Sequence, residues 1–339
     1  MKLVSYLENQ QEQLGFYHEG KIFNVVRESE NQLPDTLLSL LKIEGALEKA
    51  KALNENIISG SFKHQPITLP DEQLLAPVPH PTSCRDAYAF RQHVAAARRN
   101  RGVPMIPEFD EYPIFYFTNH NGIQGPGTIE VMPDHLMKLD FELEIAAVIG
   151  KKGRNIQAKD ADQYIAGFTI MNDMSARTLQ MEEMLLNLGP AKGKDFCTVI
   201  GPWFVTPDEL EPFSTKAKEG HTGKSYKLDM KCWVNGILVS QGNVADMDWS
   251  FAEIIERCAY GVDIYPGDVI GSGTVGTGCF LELNGTGLLN DKNYKPQWLK
   301  DGDVVEMEIT GLGRLKNTIK KINTDFSILS LKKKANISV

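Results

Sequence analysis

The strongest constraint on the fold is the alternation of apolar and acidic side chains in the stretch Lys138-Leu-Asp140-Phe-Glu142-Leu-Glu144-Ile-Ala-Ala-Val-Ile149-Gly150. An alternation of period two is typical of a β-strand, so residues 138–149 are predicted to form one. The apolar side chains at odd positions from 139 to 145 then face one side, and Asp140, Glu142 and Glu144 face the other. Three like charges on one face repel each other, and a hard divalent cation, which prefers carboxylate oxygens, would offset that repulsion. The stretch therefore predicts a strand that is also a candidate metal site.

Length and charge limit the class of protein. The chain has 339 residues, of which 42% are hydrophobic and 24% charged, as expected for a globular protein with one large domain or with a large and a small one. Lys and Arg number 36 against 44 Asp and Glu, and the net charge of −8 argues against nucleic acid as a partner. No apolar run approaches the length of a membrane span, about 20 residues, so no membrane partner is expected either.

The cysteines and the N-terminus bear on the compartment. The five cysteines, at positions 84, 197, 232, 258 and 279, are odd in number and scattered, which favours reduced thiols over a disulfide framework. The start Met-Lys-Leu-Val-Ser-Tyr-Leu-Glu is too polar for a secretory signal peptide, so a cytoplasmic location is predicted. No His/Cys pair has the spacing of a zinc motif, and a zinc site is not predicted.

A proline-rich connector divides the chain. Five prolines fall between residues 66 and 81, and such a stretch can sustain neither a helix nor a central strand. Before it, three short strands and a helix over residues 35–53, with Asp35 as N-cap, are predicted. We therefore predict a small N-terminal β-rich domain over residues 1–70, a connector over residues 71–82 and a larger β-roll domain over residues 83–339.

The larger domain is predicted to consist mostly of strands. Its helices are predicted over residues 82–100, 174–188 and 250–259. Its strands are predicted near residues 116–118, 138–149, 165–171, 198–205, 228–234, 237–239, 269–271, 280–283 and 304–309. Many strands with few crossover helices fit a curled β-sandwich or barrel-like roll better than a doubly wound sheet. The predicted fold class is α+β and β-rich, a mixed β-sandwich roll with a small N-terminal domain.

Asp86 and His93 lie seven residues apart in the predicted helix of residues 82–100. Seven residues are nearly two helical turns, so both side chains would share one face, about 10 Å apart along the axis. They could flank a substrate, with Asp86 at the metal end and His93 at the far end. The alternative is that Asp86 only interacts with the helix dipole and that His93 is a half-buried side chain.

A second cluster lies where a predicted strand leads into a helix, at Asn172-Asp173-Met-Ser175-Ala-Arg177-Thr-Leu-Gln180. Arg177 and Gln180 are about one turn apart and lie on the same side of the helix. A carboxylate, a cation and an amide together suit an anionic ligand, but Asp173 could equally be an N-cap. Downstream, Lys194 follows Gly193 and can approach a ligand, although the spacing is not that of a phosphate loop.

The glycine-rich stretch Gly271-Ser-Gly-Thr274-Val-Gly-Thr-Gly278 has no βαβ unit around it, so it is not a dinucleotide motif. Its backbone can approach a ligand closely, and Thr274 offers a hydroxyl. Glu282 is an acid within a predicted apolar strand, where it either faces solvent or is buried with a raised pKa and accepts a proton. Tyr116 lies in an aromatic stretch for which packing is the default expectation.

Together these segments resemble the fumarylacetoacetate hydrolase family over residues 83–313, in the order that the family has. The motifs that carry the resemblance are Arg85-Asp86-x-Tyr88-x-Phe-Arg-Gln-His93, Asp140-Phe-Glu142-Leu-Glu144, Asn172-Asp173-x-Ser-Ala-Arg177-x-x-Gln180, Leu-Gly-Pro-x-x-Gly193-Lys194-x-Phe, and Gly-Ser-Gly-Thr274 with Phe-Leu-Glu282-Leu. One motif alone is modest evidence, whereas five in order are specific. The resemblance implies the fumarylacetoacetate hydrolase-like fold and a homodimer.

The resemblance also implies roles for individual residues. The carboxylates that would bind a divalent ion are Asp86, Glu142, Glu144 and Asp173. Asp140 is then left outside the metal set, as an outer-shell or surface acid. The residues that would activate a water are His93 and Glu282, and those that would stabilise the leaving carbanion are Lys194, Arg177 and Gln180. The substrate contacts would be Tyr88, Tyr116, Thr274 and Arg99, with Arg98 and Arg101 as alternatives for the arginine.

The implied function is that of a hydrolase dependent on Mg²⁺ or Ca²⁺, with Mn²⁺ as an alternative. It would cleave a carbon–carbon bond in a small oxo acid, a β-diketo acid of the fumarylacetoacetate or acylpyruvate type, as in aromatic amino acid catabolism. One alternative is a lyase of the same family, an oxaloacetate decarboxylase or oxo-acid hydratase. Another is a metal-stabilised binding protein without turnover, which would need neither His93 nor Glu282.

Overall fold

The structure, a computed structural model, describes residues 1–333, so the last residues of the predicted larger domain, 334–339, lie outside the described residues. Its strands are, in chain order, β1 (Lys2–Glu8), β2 (Gln11–His18), β3 (Lys21–Asn24), β4 (Cys84–Ala87), β5 (Phe115–Thr118), β6 (Ile123–Gln124), β7 (Gly127–Val131), β8 (Leu139–Asp140), β9 (Leu143–Ile149), β10 (Gly153–Arg154), β11 (Ile165–Asp173), β12 (Ser175–Ala176), β13 (Thr198–Val205), β14 (Ser214–Lys216), β15 (Lys224–Tyr226), β16 (Asp229–Val234), β17 (Ile237–Asn243), β18 (Asp263–Ile264), β19 (Val269–Gly271), β20 (Val304–Ile309) and β21 (Gly313–Lys321). Its α-helices are α1 (Val25–Glu28), α2 (Leu37–Lys42), α3 (Ala46–Ile58), α4 (Arg91–Asn100), α5 (Ala158–Ala161), α6 (Arg177–Glu183), α7 (Pro207–Leu210), α8 (Phe251–Ala259) and α9 (Phe280–Asn290).

One large sheet runs through the molecule, in the order β3-β2-β1-β13-β11-β9-β19-β4-β5, with β6 paired to β13. The N-terminal strands belong to this sheet, because β1 pairs antiparallel with β13 and places Leu3 opposite Phe204. The division of the chain at residues 71–82 therefore stays a prediction about sequence organisation, while the sheet itself is continuous across it.

A second sheet, in the order β17-β16-β20-β21-β7, packs over the centre of the first, where β16 meets β9 and β20 meets β11. The apolar face of the acidic stretch, residues 138–149, fills the space between the two sheets. Leu139, Phe141, Leu143 and Ile145 belong to one buried cluster with side chains of the second sheet such as Met230. This arrangement confirms the predicted α+β, β-rich sandwich and the predicted apolar face. The prediction of one strand over residues 138–149 is wrong, because β8 pairs with β12 outside the large sheet and the strand is interrupted at residues 141–142 before β9 begins.

The other face of the large sheet is covered by the N-terminal helices. Ala146 and Val148 of β9 pack in a second buried cluster with Leu37 and Leu40 of α2. The predicted single helix of residues 35–53 is wrong, since α2 and α3 are separate. Gly45, with φ of 74°, lies between them and adopts a left-handed conformation that a glycine permits without strain.

Two sequence predictions at functional positions are also wrong about secondary structure. Residues 84–87 form strand β4 and not the first turn of a helix, because they pair with β19 on one side and β5 on the other. Helix α4 begins only at Arg91. Conversely, the residues of the predicted strand 280–283 begin helix α9, because their backbone N–H groups are capped by Asp140 instead of pairing with a strand.

The described residues include no helix long and apolar enough to cross a membrane. All five cysteines are buried and free, in agreement with the predicted reduced thiols.

Candidate metal centre and acid–base pair

Neighbouring strands of the large sheet place carboxylates at one point. Asp86 lies on β4, in register with Gly271 of β19 on one side and Tyr116 of β5 on the other. Glu144 lies near the start of β9, and Asp173 is the last residue of the adjacent strand β11. The sheet thus collects side chains that are far apart in the sequence, and the resemblance had predicted all three as metal ligands.

The carboxylates are close together and buried. One oxygen from each of Asp86, Glu142 and Glu144 lies within 4.8 Å of the others. Burial, and next the charge of Asp173, raises the pKa of Asp86 to about 7. Burial and the nearby Asp86 raise the pKa of Glu144 well above its ordinary value, and burial raises the pKa of Asp173 although Lys194 opposes it. Such a cluster has a high affinity for either protons or a cation.

The protein itself leaves part of this cluster without partners. Within the part of the chain that the structure describes, Oε2 of Glu144 and Oδ1 of Asp173 are buried and have no hydrogen-bond partner. Buried polar atoms are rarely left in that state unless a ligand or water completes them. A Cβ on Gly271 would come within 2.6 Å of Oδ1 of Asp86, so the glycine keeps the space beside that oxygen open. A set of carboxylate oxygens suits a hard divalent cation, and the residues therefore fit the ion that the resemblance implies.

Two cations border the carboxylates on the side of Glu142. Lys194 contacts Glu142 through Nζ, which also lies 2.9 Å from Oδ2 of Asp173. Nη2 of Arg177 donates to Oε1 of Glu142 at 2.8 Å. Burial alone would raise the pKa of Glu142, but the charges of Lys194 and Arg177 outweigh it and lower that pKa to about 2. Glu142 therefore stays ionised at neutral pH, and its pKa is shifted in the opposite direction to those of its neighbours in the cluster.

Asp140 connects the cations to helix α9. Its carboxylate accepts hydrogen bonds from the backbone N–H of Phe141 at 2.9 Å, of Phe280 at 2.7 Å and of Leu281 at 2.9 Å, and from Nε of Arg177 at 2.8 Å. Asp140 thus caps the helix that carries Glu282 and fixes the orientation of Arg177. It is fully buried, so the predicted alternative of a surface acid is wrong, and the role of an outer-shell acid stays a prediction.

His93 and Glu282 form a buried acid–base pair. Nδ1 of His93 lies 2.6 Å from Oε2 of Glu282, and the backbone N–H of Thr277 donates to the other carboxylate oxygen at 3.0 Å. Both side chains are at most 9% exposed, so the prediction that Glu282 could face solvent is wrong. Nδ2 of Asn100 donates to the backbone carbonyl of Glu282 at 3.0 Å and joins α4 to α9.

Three of the predicted substrate contacts adjoin these groups. The hydroxyl of Tyr116 donates to Oδ2 of Asp173, and Oγ1 of Thr274 lies 3.4 Å from Oε1 of Glu144. The ring of Tyr88 meets the His93 ring edge-on, with 5.8 Å between centroids. Burial raises the pKa of Tyr88 to about 12, so its hydroxyl stays protonated and can donate a hydrogen bond.

The remaining predicted residues differ in how they relate to the site. Nη1 of Arg177 donates to Oε1 of Gln180 at 2.9 Å, which leaves the amide nitrogen of Gln180 available. Arg99 is exposed and its Nη2 donates to Oγ1 of Thr286 at 2.9 Å. Of the three neighbouring arginines, Arg101 is the one whose charge lowers the pKa of Tyr88. Arg101 is exposed as well, and its Nε donates to the backbone carbonyl of Ala97 at 3.1 Å. The roles of Arg99 and Arg101 as substrate contacts therefore both stay predictions.

Sequence reasoning missed one residue of the site. Cys279, directly before α9, offers its Sγ within 4.8 Å of ligand atoms of His93 and Glu142. The signal that could have found it is its position three residues before Glu282, which places both near one helix face once residues 280–290 are recognised as a helix.

The comparisons with known proteins identify the family of this chain. The family model described as "Fumarylacetoacetate (FAA) hydrolase C-terminal" matches residues 82–320, well over half of the chain. The chain therefore belongs to the fumarylacetoacetate hydrolase family, as the five motifs predicted.

Relatives with different activities are similar over much of the chain. A fumarylacetoacetate hydrolase domain-containing protein 2 homolog of Dictyostelium discoideum is 27% identical over 94% of this chain and 97% of its own length. The mitochondrial oxaloacetate tautomerase FAHD2A of Homo sapiens is 32% identical over 75% of this chain and 68% of its own length. The fumarylacetoacetase of Oryza sativa subsp. japonica is 30% identical over 61% of this chain and 58% of its own length. Members of the family are thus enzymes, among them hydrolases and tautomerases.

The fold has solved counterparts. The fumarylacetoacetate hydrolase of psychrophilic Exiguobacterium antarcticum superposes with a TM-score of 0.65 and 24% identity, over 95% of this chain and the whole of that one. This coverage is larger than the range 82–320 that the family model matches, so the shared fold extends beyond those residues.

Proposed function

We propose that this protein is a hydrolase that depends on a divalent metal ion and cleaves a carbon–carbon bond in β-diketo acids of the fumarylacetoacetate or acylpyruvate type. The observation that carries the proposal is the buried His93–Glu282 pair placed next to Glu142. An acid–base pair beside a carboxylate cluster provides for both the activation of water and the neutralisation of a developing enolate.

The metal would be held by the carboxylates Asp86, Glu142, Glu144 and Asp173. When bound, a divalent cation polarises a substrate carbonyl and spreads the negative charge of the departing enolate. The orphan oxygens of Glu144 and Asp173, within the described residues, are the atoms that such an ion would satisfy.

His93 is the residue that takes the proton of the attacking water. Because Nδ1 is held against Glu282 at 2.6 Å, this nitrogen carries the proton and Nε2 is the free acceptor. Glu282 keeps the ring in that tautomer and stabilises the imidazolium that forms. The hydroxide adds to the acyl carbon, the bond to the neighbouring carbon breaks, and the carbanion that leaves takes up a proton.

The cations and the amide stabilise the leaving group. Lys194 and Arg177 bring fixed positive charge to the side of Glu142, where the enolate develops. Gln180, whose oxygen is engaged by Arg177, presents its amide N–H groups to the same region. Because these groups are already held in place, they need no rearrangement when charge develops.

The test is a pair of matched histidine variants. His93→Gln should lower kcat for fumarylacetoacetate hydrolysis by about 10²–10⁴-fold, the range for a general base, with fumarate and acetoacetate release as the readout. His221 also pairs with a carboxylate, Glu253 at 3.1 Å, but outside the site, so His221→Gln should retain activity. Full turnover by His93→Gln in the presence of Mg²⁺ would show the proposed role to be wrong.

A second candidate is an oxo-acid tautomerase, which the similarity to human oxaloacetate tautomerase favours. The same pair could move a proton between carbon and oxygen of a substrate without adding water. Assays of oxaloacetate enol–keto conversion, of pyruvate formation from oxaloacetate and of β-diketo acid cleavage, each with and without EDTA, separate the tautomerase, the decarboxylase and the hydrolase. Tautomerisation without cleavage of any β-diketo acid would replace the first proposal by the second.

A further inference from the structure

A thiol lies beside the acid–base pair. His93, Glu142 and Cys279 each offer one ligand atom, all within 4.8 Å of one another, and all three side chains are buried. Cys279 has no part in the proposed reaction. The three residues are 49 to 186 positions apart in sequence, so no short sequence motif predicts the cluster.

The ligand chemistry of this cluster differs from that of the carboxylate site. Asp86, Glu142 and Glu144 offer only oxygen, which suits hard cations. A cysteine sulfur and an imidazole nitrogen with one carboxylate are the ligands of zinc and of softer ions such as cadmium. Three protein ligands with a fourth position left open are a common zinc arrangement. The two sites share Glu142 but select for different metals.

The orientation of His93 supports the assignment. Its Nδ1 is 2.6 Å from Glu282, so Nε2 is the nitrogen left to bind a metal. A carboxylate that holds the far nitrogen of a metal-binding histidine fixes the ring and raises its basicity. Glu282 would have this supporting role, and its second oxygen is fixed by the N–H of Thr277.

We propose that His93, Glu142 and Cys279 form a second metal subsite, selective for Zn²⁺ and other thiophilic divalent ions. On binding, the Cys279 thiol loses its proton to solvent and a metal–sulfur bond forms, while Nε2 of His93 and an oxygen of Glu142 donate electron pairs. Because His93 is then a ligand, it no longer accepts a proton from water, and occupancy of the subsite inhibits turnover. The inhibition of turnover rests on the proposed function, whereas the binding of the metal ion does not.

The experiment titrates Cd²⁺ into the full-length protein kept in excess Mg²⁺, so that the carboxylate site is filled. The readout is the ultraviolet charge-transfer absorption of a cadmium–thiolate bond, which carboxylate binding does not produce. The wild type should give this band with one Cd²⁺ per chain. Cys279→Ser should lose the band and bind Cd²⁺ at least about tenfold more weakly.

Two further variants make the result specific. Cys258 is equally buried but lies on α8, outside the cluster, so Cys258→Ser should keep the band and the affinity of the wild type. His93→Gln should keep the band but weaken the binding, because the sulfur remains and the nitrogen is lost. These measurements do not depend on enzymatic activity, so a failure of the proposed function would leave them intact.

Three results would overturn the subsite: Cd²⁺ binding without a thiolate band, a band that persists in Cys279→Ser, or a band that disappears in Cys258→Ser. If the subsite exists, Zn²⁺ should also inhibit the wild type in the presence of excess Mg²⁺, and Cys279→Ser should need at least about tenfold more Zn²⁺ for the same inhibition.

Discussion

Asp140 and Glu144, at the two ends of the acidic stretch of residues 140–144, both carry a carboxylate. The two carboxylates differ in how many hydrogen bonds the protein gives them. Asp140 accepts four hydrogen bonds, three from backbone N–H groups and one from Arg177. Glu144, four residues later, is within 3.4 Å of one hydroxyl, and its Oε2 has no partner among residues 1–333. Both side chains are fully buried.

The difference separates structural acids from ligand-binding acids without reference to any relative. A buried carboxylate whose two oxygens each accept two hydrogen bonds from the protein, as those of Asp140 do, has no free capacity and positions its neighbours. A buried carboxylate with an orphan oxygen is unfavourable unless something outside the chain completes it. The same criterion assigns Asp140 to the support of α9 and Arg177, and marks Glu144 as a candidate metal ligand.

The largest expected effect is on the free energy of unfolding when Asp140 is replaced. Asp140→Ala removes the partner of the buried Arg177 and the cap of α9, and should lower the free energy of unfolding by about 3–5 kcal/mol, measured by urea denaturation. Asp268 is the matched control, because it is also buried and pairs with an arginine, Arg85, at 3.3 Å. Asp268→Ala should lose stability comparably yet keep kcat, whereas Asp140→Ala should lose both. Equal kcat in the two variants would contradict the positioning role of Asp140.

The next largest expected effect concerns Glu144 and the stabilisation of the folded protein by Mg²⁺. Mg²⁺ at 100 times its Kd should raise the free energy of unfolding of the wild type by about 2.7 kcal/mol, because the ion binds the folded carboxylates. Glu144→Gln removes one charge at nearly constant volume and should abolish most of this gain, as measured by thermal unfolding with Mg²⁺ or EDTA. A gain that is undiminished in Glu144→Gln would mean that the orphan oxygen does not mark a metal ligand.

A smaller effect should appear in the pH dependence of stability, because the carboxylates of the cluster have shifted pKa values. The pKa of Asp86 is raised from 3.8 to about 7 in the folded protein, so between these values the folded state binds more protons than the unfolded state. The stability of the metal-free protein should therefore fall as the pH rises through this window, and the raised pKa values of Glu144 and Asp173 act in the same direction. Glu142, with its pKa lowered to about 2, is ionised in both states above pH 5 and adds almost no slope there.

Urea denaturation from pH 5 to 8 in EDTA and in saturating Mg²⁺ would measure this slope. The Mg²⁺-bound protein should show less of it, since the ion holds the carboxylates ionised. A metal-free protein whose stability rises with pH across the window would argue against the clustering of the acids.

The smallest expected effects are those on the kinetics of variants of Arg99 and Arg101. Arg99 is exposed and already paired with Thr286, so Arg99→Ala should change kcat/KM by no more than about twofold, or 0.5 kcal/mol. Arg101 acts on Tyr88, and Arg101→Ala should raise KM about tenfold, or 1.4 kcal/mol. Steady-state kinetics of both variants on one substrate would test this, and the reverse order would restore Arg99 as the substrate contact.

The sequence predicted the parts of the fold that depend on local pattern. The apolar face of residues 139–145 and the bounds of β13, β19 and β20 follow from side-chain periodicity, whereas the division of residues 138–149 into β8 and β9 does not. The strand β4 around Asp86 and the helix α9 around Glu282 were predicted in the wrong class, because tertiary pairing and a distant cap decided them. Asp86, Glu142 and Glu144, which the resemblance implied as metal ligands, lie close together in the structure, and their roles stay predictions. The proximity of Cys279 to His93 required the three-dimensional structure.

The pairing of β1 with β13 has a consequence for how this protein can be divided. An excised fragment of residues 82–320 would contain every motif, but the end of β13 at residues 204–205 would lose its β1 neighbour, while β6 would still pair with residues 198–199. The fragment would also uncover the buried side chains of Ile200 and Phe204 and the face of β9 that α2 shields. Such a truncation should aggregate, so the N-terminal residues cover apolar surface that the site-bearing part of the chain cannot bury by itself.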